Sequence, residues 1–492
     1  MRPVANHGGA RRRLLRATLC GAAILVLSAC ASMGDTPAPA RLRDATSLGL
    51  PAADASAVTI PVQWWHGFGD AQLDRLIDEA LASHPSLKVA QARLARAQAG
   101  VDLTQAARGP QLNLGVDATR QLFTANGMIP KPLAGSINET GTAQFSGSWE
   151  LDFFGKNRAA LDAALGQARA AQADADAARM LLASQVARSY FQLLRLHEQL
   201  GVTQRLLAQR THALSLVQDR VKAGLDTKLE LRQSEASLPD ARLQLEALQE
   251  QSTLARHALA ALLGQPGKAL AIELPALSAI KPIAATDSLP SDLLGRRADI
   301  VAARWRVQAA TEDIGVAQAQ FYPNLNLSAF AGFSSIGLDR LLNAGSQQWG
   351  VGPALRLPIF DGGRLRANLR GKSAELDAAI ESYNGAVIEA VREVIDQLAS
   401  TQAIVRQQTE QRAAQALAES AYEIALQRYE AGLGNYLSVL AAEASVLGQR
   451  RQGVDLAARA LDTQVALIRA LGGGYQAEPA ASHASNLSTA PL

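Results

Sequence analysis

The stretch Arg220-Val-Lys-Ala-Gly-Leu225 returns 208 residues later as Arg428-Tyr-Glu-Ala-Gly-Leu433. A second pair, Pro110-Gln-Leu-Asn-Leu114 and Pro323-Asn-Leu-Asn-Leu327, is separated by 213 residues. The drift between the two offsets fits loops of unequal length in two copies of one unit. A duplication this long indicates a single architectural unit used twice, which constrains every local interpretation.

The predicted division of the chain follows from this duplication and from composition. Repeat 1 covers residues 61–266, and repeat 2 covers residues 285–472. The stretch 30–60 is rich in Ala, Pro, Ser, Asp and Thr, which is typical of an extended linker. Residues 473–492 have low complexity and are predicted to form a disordered tail.

The N-terminus has the pattern of an export signal. A 13-residue apolar run ends at Ala29 and follows a group of arginines, which is typical of a signal peptide over residues 1–29. Cys20 lies inside this signal, so a single cysteine, Cys30, remains in the exported chain. Leu27-Ser-Ala-Cys30 resembles a bacterial lipobox, which implies cleavage before Cys30 and lipidation of that residue. The alternative is an incidental cysteine at a signal boundary.

The charge balance changes once the signal is set aside. Residues 1–29 hold five of the 48 basic residues and no acidic ones, which leaves 43 basic against 45 acidic residues, a net charge of −2. This balance gives no indication of a nucleic-acid partner. The non-acidic residues after Cys30 favour, by the lipoprotein resemblance, an anchor in the outer membrane.

Each repeat contains two segments of about ten residues with strict alternation, which predicts transmembrane strands at about 111–120, 142–153, 324–333 and 349–359. One face of each segment is apolar and the other is polar, as in a barrel strand between lipid and lumen. The alternative is a half-buried strand in a soluble sandwich, which the long helices between the segments disfavour. The apolar positions are Leu112, Leu114, Val116, Ala118, Ala143, Phe145, Trp149, Leu151, Phe153, Leu325, Leu327, Ala329, Ala331, Phe333, Trp349, Val351, Pro353, Leu355, Leu357 and Ile359.

Very long helices separate the strand pairs. The stretch from Lys156 to Lys222 lacks proline and would measure about 100 Å as a continuous helix. Leucines and valines recur in it with alternating spacings of three and four, the coiled-coil period. The predicted fold is therefore an α+β membrane protein with two tandem repeats, each with two transmembrane strands and long coiled-coil helices.

Four strands cannot close a barrel, and an open sheet edge in lipid leaves backbone groups unpaired. The chain is therefore expected to pool its strands with copies of itself. Two copies would give eight strands and a filled interior, whereas three would give twelve strands and room for a channel. The polar inner face favours a homotrimer, in which a 12-stranded barrel continues as an α-helical periplasmic tube.

Several stretches resemble the TolC-like outer membrane efflux family, in its lipoprotein branch, over roughly residues 60–472. They are Trp149-Glu-Leu-Asp-Phe-Phe-Gly-Lys156, Leu357-Pro-Ile-Phe-Asp-Gly-Gly-Arg364, Arg296-Arg-Ala-Asp-Ile300 and Ala317-Gln-Ala-Gln-Phe-Tyr-Pro323. The resemblance implies the exit duct of a tripartite efflux pump in the outer membrane. Its implied partners are a periplasmic adaptor (membrane fusion protein) and a proton-driven inner-membrane transporter.

The candidate functional residues fall into three groups. Glycines at the strand–helix junctions are expected to adopt positive φ. The tips of the long helices are the candidate adaptor-docking site by family resemblance, although a helix-capping role alone would explain their glycines. The same end should carry the periplasmic gate. These groups are, in order, Gly155, Gly362 and Gly363; Arg220, Gly224, Leu225, Arg428, Gly432 and Leu433; and Tyr429, Leu437 and Glu443.

Within the gate, Leu437 repeated three times would form an apolar constriction that closes by dewetting. Glu443 would supply an acidic ring or occupy a solvated coil position. No histidines have metal-ligand spacing, and no nucleotide-binding or hydrolase motif occurs, so neither an enzyme nor a metal site is expected. No cofactor is expected apart from the covalent lipid on Cys30.

Two other functions compete with the exit duct. The first is an outer-membrane lipoprotein scaffold, built on coiled coils, that does not transport. The polar strand faces and the Gly-Leu tips disfavour it, because a scaffold needs neither. The second is a passive porin, which would not need helices of this length.

Overall fold

The computed structural model describes Met33 and residues 40–43, 60–268, 270–283 and 293–475. The predicted signal peptide, Cys30, most of the linker and residues 476–492 of the predicted tail lie outside these ranges. The repeat boundaries remain predictions.

Seven helices and four strands account for most of the described chain. The prediction of two repeats, each with two strands and long helices, is confirmed. Repeat 1 contains α1 (Ala71–Ser83), α2 (Pro85–Ala107), β1 (Gln111–Leu122), β2 (Ile137–Leu151), α3 (Lys156–Lys222) and α4 (Lys228–Leu262). Repeat 2 contains α5 (Ala298–Ala319), β3 (Asn324–Ile336), β4 (Gln347–Arg356), α6 (Arg364–Glu430) and α7 (Tyr436–Ala470). A four-residue helical turn, Leu293–Arg296, precedes α5.

The strands form one antiparallel sheet in the order β1-β2-β3-β4. Its register aligns the apolar positions: Leu114 lies opposite Phe145, Phe145 opposite Ala331, and Ala331 opposite Trp349. Because side chains alternate between the two faces of a sheet, the alignment of this row of residues determines which face every other residue occupies. One face is therefore apolar across all four strands, and the other carries Thr, Ser, Gln and Asn.

The strands extend beyond the stretches predicted from alternation at one end of the sheet. β2 begins at Ile137 rather than near 142, and Arg120 lies opposite Glu139, with 3.9 Å between their charged groups. The connections between β1 and β2 and between β3 and β4 are therefore shorter than predicted, and consist of residues 123–136 and 337–346. At the other end, residues 152–153 and 357–359 lie outside the strands and lead into the helices.

The two longest helices, α3 and α6, contain 67 residues each, and the two that follow them contain 35 each. The two shorter helices also have matched N-caps. Thr227 begins α4 with a capping box to Glu230, and Asn435 begins α7 by accepting a hydrogen bond from the Ser438 N–H.

The chain divides into two compact units. Of the described residues, unit 1 contains Met33, residues 40–42, Ala95–Ala170 and Ala303–Tyr383, and it contains the sheet. Its apolar cluster consists of Ala317, Phe321, Leu365 and Leu369. Unit 2 consists of Arg43–Leu94, Ala171–Ala302 and Asn384–Leu492.

Unit 2 has the larger core, in which Trp65, Phe68 and Tyr190 are almost fully buried. The side chain of Asp70 organises this core, because it caps α1 and accepts a hydrogen bond from the Tyr190 hydroxyl at 2.6 Å. Burial, followed by the bond to Asp70, raises the pKa of Tyr190.

None of the helices in the described ranges is long and apolar enough to cross a membrane.

Candidate functional site at the helix tips

Both long helices end in the same backbone motif. The N–H of Leu225 donates to the carbonyl of Arg220 at 2.9 Å, and Gly224 adopts φ +75°. The second copy repeats this, with Leu433 N–H to the Arg428 carbonyl at 2.8 Å. This is the Schellman cap, in which a left-handed residue ends the helix and satisfies its last carbonyls.

These caps lack the apolar contact that usually accompanies them. The leucine after the glycine normally packs on an apolar residue at the end of the helix. Here that position holds Arg220 in the first copy and Arg428 in the second. Leu225 is consequently 66% exposed and Leu433 71% exposed. Each tip therefore presents an unpaired leucine, which a turn alone does not require.

The first tip is tied to the second repeat by a set of polar contacts. The Nε and Nη2 atoms of Arg220 donate to the carboxylate of Asp226 at 3.1 and 3.3 Å. The same carboxylate accepts a hydrogen bond from the Tyr429 hydroxyl. The guanidinium of Arg220 also lies over the Tyr429 ring, 4.5 Å from its centroid. We call Arg220, Asp226 and Tyr429 the tip triad.

The tip triad is shielded from solvent. The side chains of Arg220 and Asp226 are 12% and 9% exposed. Burial, and then the bond to Asp226, raises the pKa of Tyr429, whereas that bond is the main cause of the raised pKa of Arg220. The phenol thus remains a hydrogen-bond donor, and the guanidinium remains charged, at any physiological pH.

The two arginines predicted at the tips have different environments. Arg220 is held by the triad, whereas Arg428 is exposed and donates from Nη2 to the Leu433 carbonyl at 3.3 Å. The sequence repeat therefore does not extend to side-chain contacts. Only the second of these arginines remains accessible to another protein.

The gate residues predicted from the sequence differ in their exposure to solvent. Leu437, in the first turn of α7, is 58% exposed, so its gating role stays a prediction. Tyr429 is buried and packs against Tyr436, with ring centroids 5.6 Å apart. Any gating role of Tyr429 would act through its hydroxyl bond to Asp226 rather than by lining an opening.

The structure contradicts a solvated coil position for Glu443, whereas its acidic-ring role stays a prediction. Its side chain is only 6% exposed in the protomer, and it accepts a hydrogen bond from the Nε of Arg210 at 2.9 Å. Arg210 also donates from Nη1 to the Ser237 carbonyl on α4 at 2.8 Å. Burial raises the pKa of Glu443, although the bond to Arg210 opposes this shift. In the protomer, Glu443 therefore joins α7 to α3 directly and to α4 through Arg210.

The junction glycines have the predicted conformations. Gly155, Gly362 and Gly363 adopt φ values of +76°, +66° and +89°. Each follows the end of a strand and precedes a long helix. Carboxylates next to them cap those helices: Asp152 accepts from the Arg158 N–H at 2.8 Å, and Asp361 from the Leu365 N–H at 2.8 Å.

Sequence reasoning missed Asp226 and Arg210. Asp226 stands six residues after Arg220, on the far side of the turn, and nothing in the sequence connects either to Tyr429. Arg210 and Glu443 are 233 positions apart. Within the described ranges, no group of His, Cys, Asp and Glu side chains is close enough to hold a metal ion.

A sheet with one apolar face, joined to pairs of very long helices, is typical of an outer-membrane channel protein. The chain matches the outer membrane efflux protein family over residues 76–265 and 289–473. It belongs to that family and is an outer membrane efflux protein. The predictions of family, outer-membrane location and efflux function are confirmed.

Individual relatives agree with this assignment. The fusaric acid resistance protein FusA of Burkholderia cepacia is 39% identical over 361 residues, which cover 71% of this chain and 68% of FusA. The multidrug resistance outer membrane protein MdtQ of Escherichia coli is 33% identical over 94% of this chain and 98% of MdtQ. The crystal structure of the outer membrane protein VceC of Vibrio cholerae matches with a TM-score of 0.80 and 39% identity. That match covers 84% of this chain and 99% of VceC.

Proposed function

We propose that the chain forms, as a homotrimer, the exit duct of a tripartite efflux pump in the outer membrane. The observation that carries this proposal is the sheet, which has one continuous apolar face and two edge strands, β1 and β4. In the part of the chain that the structure describes, the outer edges of these strands have no partner. Open edges are not tolerated in lipid, so the edges of different copies must pair.

The number of copies follows from the polar face. Two copies would give an eight-stranded barrel filled by side chains, whereas three give twelve strands and an open lumen. A duct needs the open lumen. The polar face of the sheet would line this lumen. On that face the Nε2 of Gln348 donates to the Oε1 of Gln144 at 2.8 Å, and the hydroxyls of Thr142 and Ser334 are hydrogen-bonded.

The lipid anchor on Cys30 remains part of the proposal, and Met33 supports it. Met33 packs against the apolar cluster of Phe321, Leu365 and Leu369, beside the ends of the strands. Cys30 is three residues earlier, so an extended chain would reach about 10 Å from Met33. A lipid on Cys30 would then lie within reach of the strand ends, as an anchor in the outer membrane requires.

The tips supply the two remaining activities of a duct. The tip triad would hold the closed conformation of the periplasmic end, and Leu437 would narrow it. The exposed Leu225, Leu433 and Arg428 would dock a periplasmic adaptor, which joins the duct to a proton-driven inner-membrane transporter. Small exposed apolar patches on otherwise polar helix ends favour contact with a partner protein.

Two experiments test the proposal. The first measures the mass of the purified protein in mild detergent, where a dimer or monomer would rule out the twelve-stranded barrel. The second introduces a photo-cross-linking amino acid at Leu225 or Leu433 in living cells and identifies adducts by mass spectrometry. Leu103 on α2, which is 74% exposed, is the matched control.

Capture of a periplasmic adaptor from the tips but not from Leu103 would support the docking role. If a folded outer-membrane trimer captures no partner, the result would favour the alternative of a non-transporting lipoprotein scaffold. A planar-bilayer measurement on the Leu437→Ala variant, whose tip is widened, then separates the two functions, because a scaffold conducts no ions even then.

A further inference from the structure

A cavity of about 580 Å³ lies in unit 1 where strands meet helices. Three connections contribute to it: β2 to α3, α5 to β3, and β4 to α6. The residues that matter for its chemistry are Glu150, Phe154, Lys156, Tyr322, Arg356 and Arg364. None of the helix-tip residues described above lines this junction cavity.

The register shows which face of the sheet the cavity adjoins. Arg356 pairs with Asn324, and Glu150 pairs with Asn326. These positions alternate with the apolar row that contains Leu355, so they belong to the polar face. In the proposed barrel that face lines the lumen, which makes the cavity accessible to a solute in transit.

Most charges around the cavity are already matched. The Nζ of Lys156 donates to Glu150 at 2.8 and 3.2 Å. Asp152 accepts hydrogen bonds from the backbone N–H groups of Asn157 and Arg158. The N-terminus of α3 is therefore capped by the protein itself and does not offer an anion site.

Two guanidinium groups at the cavity, those of Arg356 and Arg364, are available to bind a ligand. Neither Arg356 nor Arg364 has an ion pair or a side-chain hydrogen bond with any residue in the described ranges. Arg364 does lie near Asp361, whose pKa is lowered mainly by the Leu365 N–H and further by Arg364 and Arg366. Arg356 is exposed at the end of β4. The charged groups that line the cavity are three cations and two carboxylates, so its formal net charge is positive.

Aromatic surfaces stand beside these cations. The rings of Phe154 and Tyr322 stack with centroids 4.9 Å apart and an interplanar angle of 9°. Phe360 also lines the cavity and is 92% exposed. A carboxylate or sulfonate can accept paired hydrogen bonds from arginine, while a planar ring can stack on an exposed aromatic face.

We infer that the junction cavity is a low-affinity transit site for planar organic anions inside the duct. The inference rests on the proposed function, because that proposal makes the polar face the lumen. Weak binding suits this role, since a solute must leave the site as readily as it enters. Three copies would surround the passage at the level where the barrel meets the helices.

The test uses the purified trimer in planar bilayers. Two probes of equal ring size, 2-naphthoate and N-methylquinolinium, are titrated as blockers of the current. The double substitution Arg356→Gln and Arg364→Gln should weaken naphthoate block about tenfold, the loss expected for a charge-assisted hydrogen bond. Block by N-methylquinolinium should not weaken. The chloride-to-potassium permeability ratio, measured in a KCl gradient, should fall.

Arg366→Gln is the matched control, because Arg366 is exposed in the same turn of α6 but does not line the cavity. An equal effect from this control, or unchanged naphthoate block in the double variant, would overturn the inference while leaving the duct intact. A folded trimer that conducts no current even when Tyr429→Phe and Leu437→Ala release the tip would instead remove the proposed function and this site with it.

Discussion

The hydroxyl of Tyr429 provides the sharpest test of how the tip stays closed. Tyr429→Phe removes the hydrogen bond to Asp226 and leaves the rest of the tip triad in place. The phenyl ring still lies under the guanidinium of Arg220 and still packs against Tyr436. Asp226 keeps its two bonds from Arg220, so no buried charge is left without a partner.

The size of the effect follows from the type of bond. A hydrogen bond to a charged group contributes about 1.5–3 kcal/mol, and the lower end applies here because Arg220 still compensates Asp226. About 1.4 kcal/mol changes an equilibrium tenfold. If the triad holds the closed tip, Tyr429→Phe should therefore raise the population of released tips about tenfold in each protomer.

The assay is single-channel recording in planar bilayers, supported by vancomycin sensitivity of cells that carry the variant. Tyr436→Phe is the matched control, because its ring is equally buried and its hydroxyl bonds to the neutral Ser234 at 3.2 Å. An open probability of Tyr429→Phe equal to that of the wild type would refute the reasoning. So would an equal rise in Tyr436→Phe, since that would indicate loosened packing rather than a lost bond to Asp226.

Three further predictions concern closure and stability. Leu437→Ala should raise resting conductance or vancomycin sensitivity, and no change in either would remove it from the gate. Arg210→Met should lower the free energy of unfolding by about 3–5 kcal/mol, because it leaves a buried carboxylate unpaired. Arg188→Met, which breaks the exposed ion pair between Arg188 and Asp462, should cost at most about 1 kcal/mol. Thermal denaturation of the trimer compares the two variants. Gly224→Ala should lower the free energy of unfolding by about 1–2 kcal/mol, because Gly224 has a left-handed backbone. Gly385→Ala, inside α6, should be neutral or stabilising. Equal losses in the two variants would argue against backbone strain at Gly224.

The sequence was sufficient for features that depend on local pattern. The absence of proline from Lys156 to Lys222 predicted α3, and strict alternation predicted the apolar face of the sheet. Alternation was a poorer guide to strand ends. Beyond the apolar band, around Arg120 and Glu139, the hydrogen-bond ladder continues without any need for apolar side chains.

The sequence was insufficient where a contact joins distant helices. Glu235 and Glu443 occupy equivalent positions in the two repeats, which suggests equivalent surroundings. Glu235 is partly exposed and pairs with Arg232 one turn away, whereas Glu443 is buried against Arg210. A helical period shows which residues share a face, but it does not show whether that face meets solvent or another helix.

The two open edges of the sheet have a genetic consequence. A chain whose edges pair only with other copies should act dominantly when it is damaged there. If a variant with a proline in β1 is expressed at the level of the wild type and assembles at random, about one trimer in eight contains only wild-type chains. A cell that carries both the wild-type and the variant gene would then lose most of its ducts, although half of its chains are undamaged.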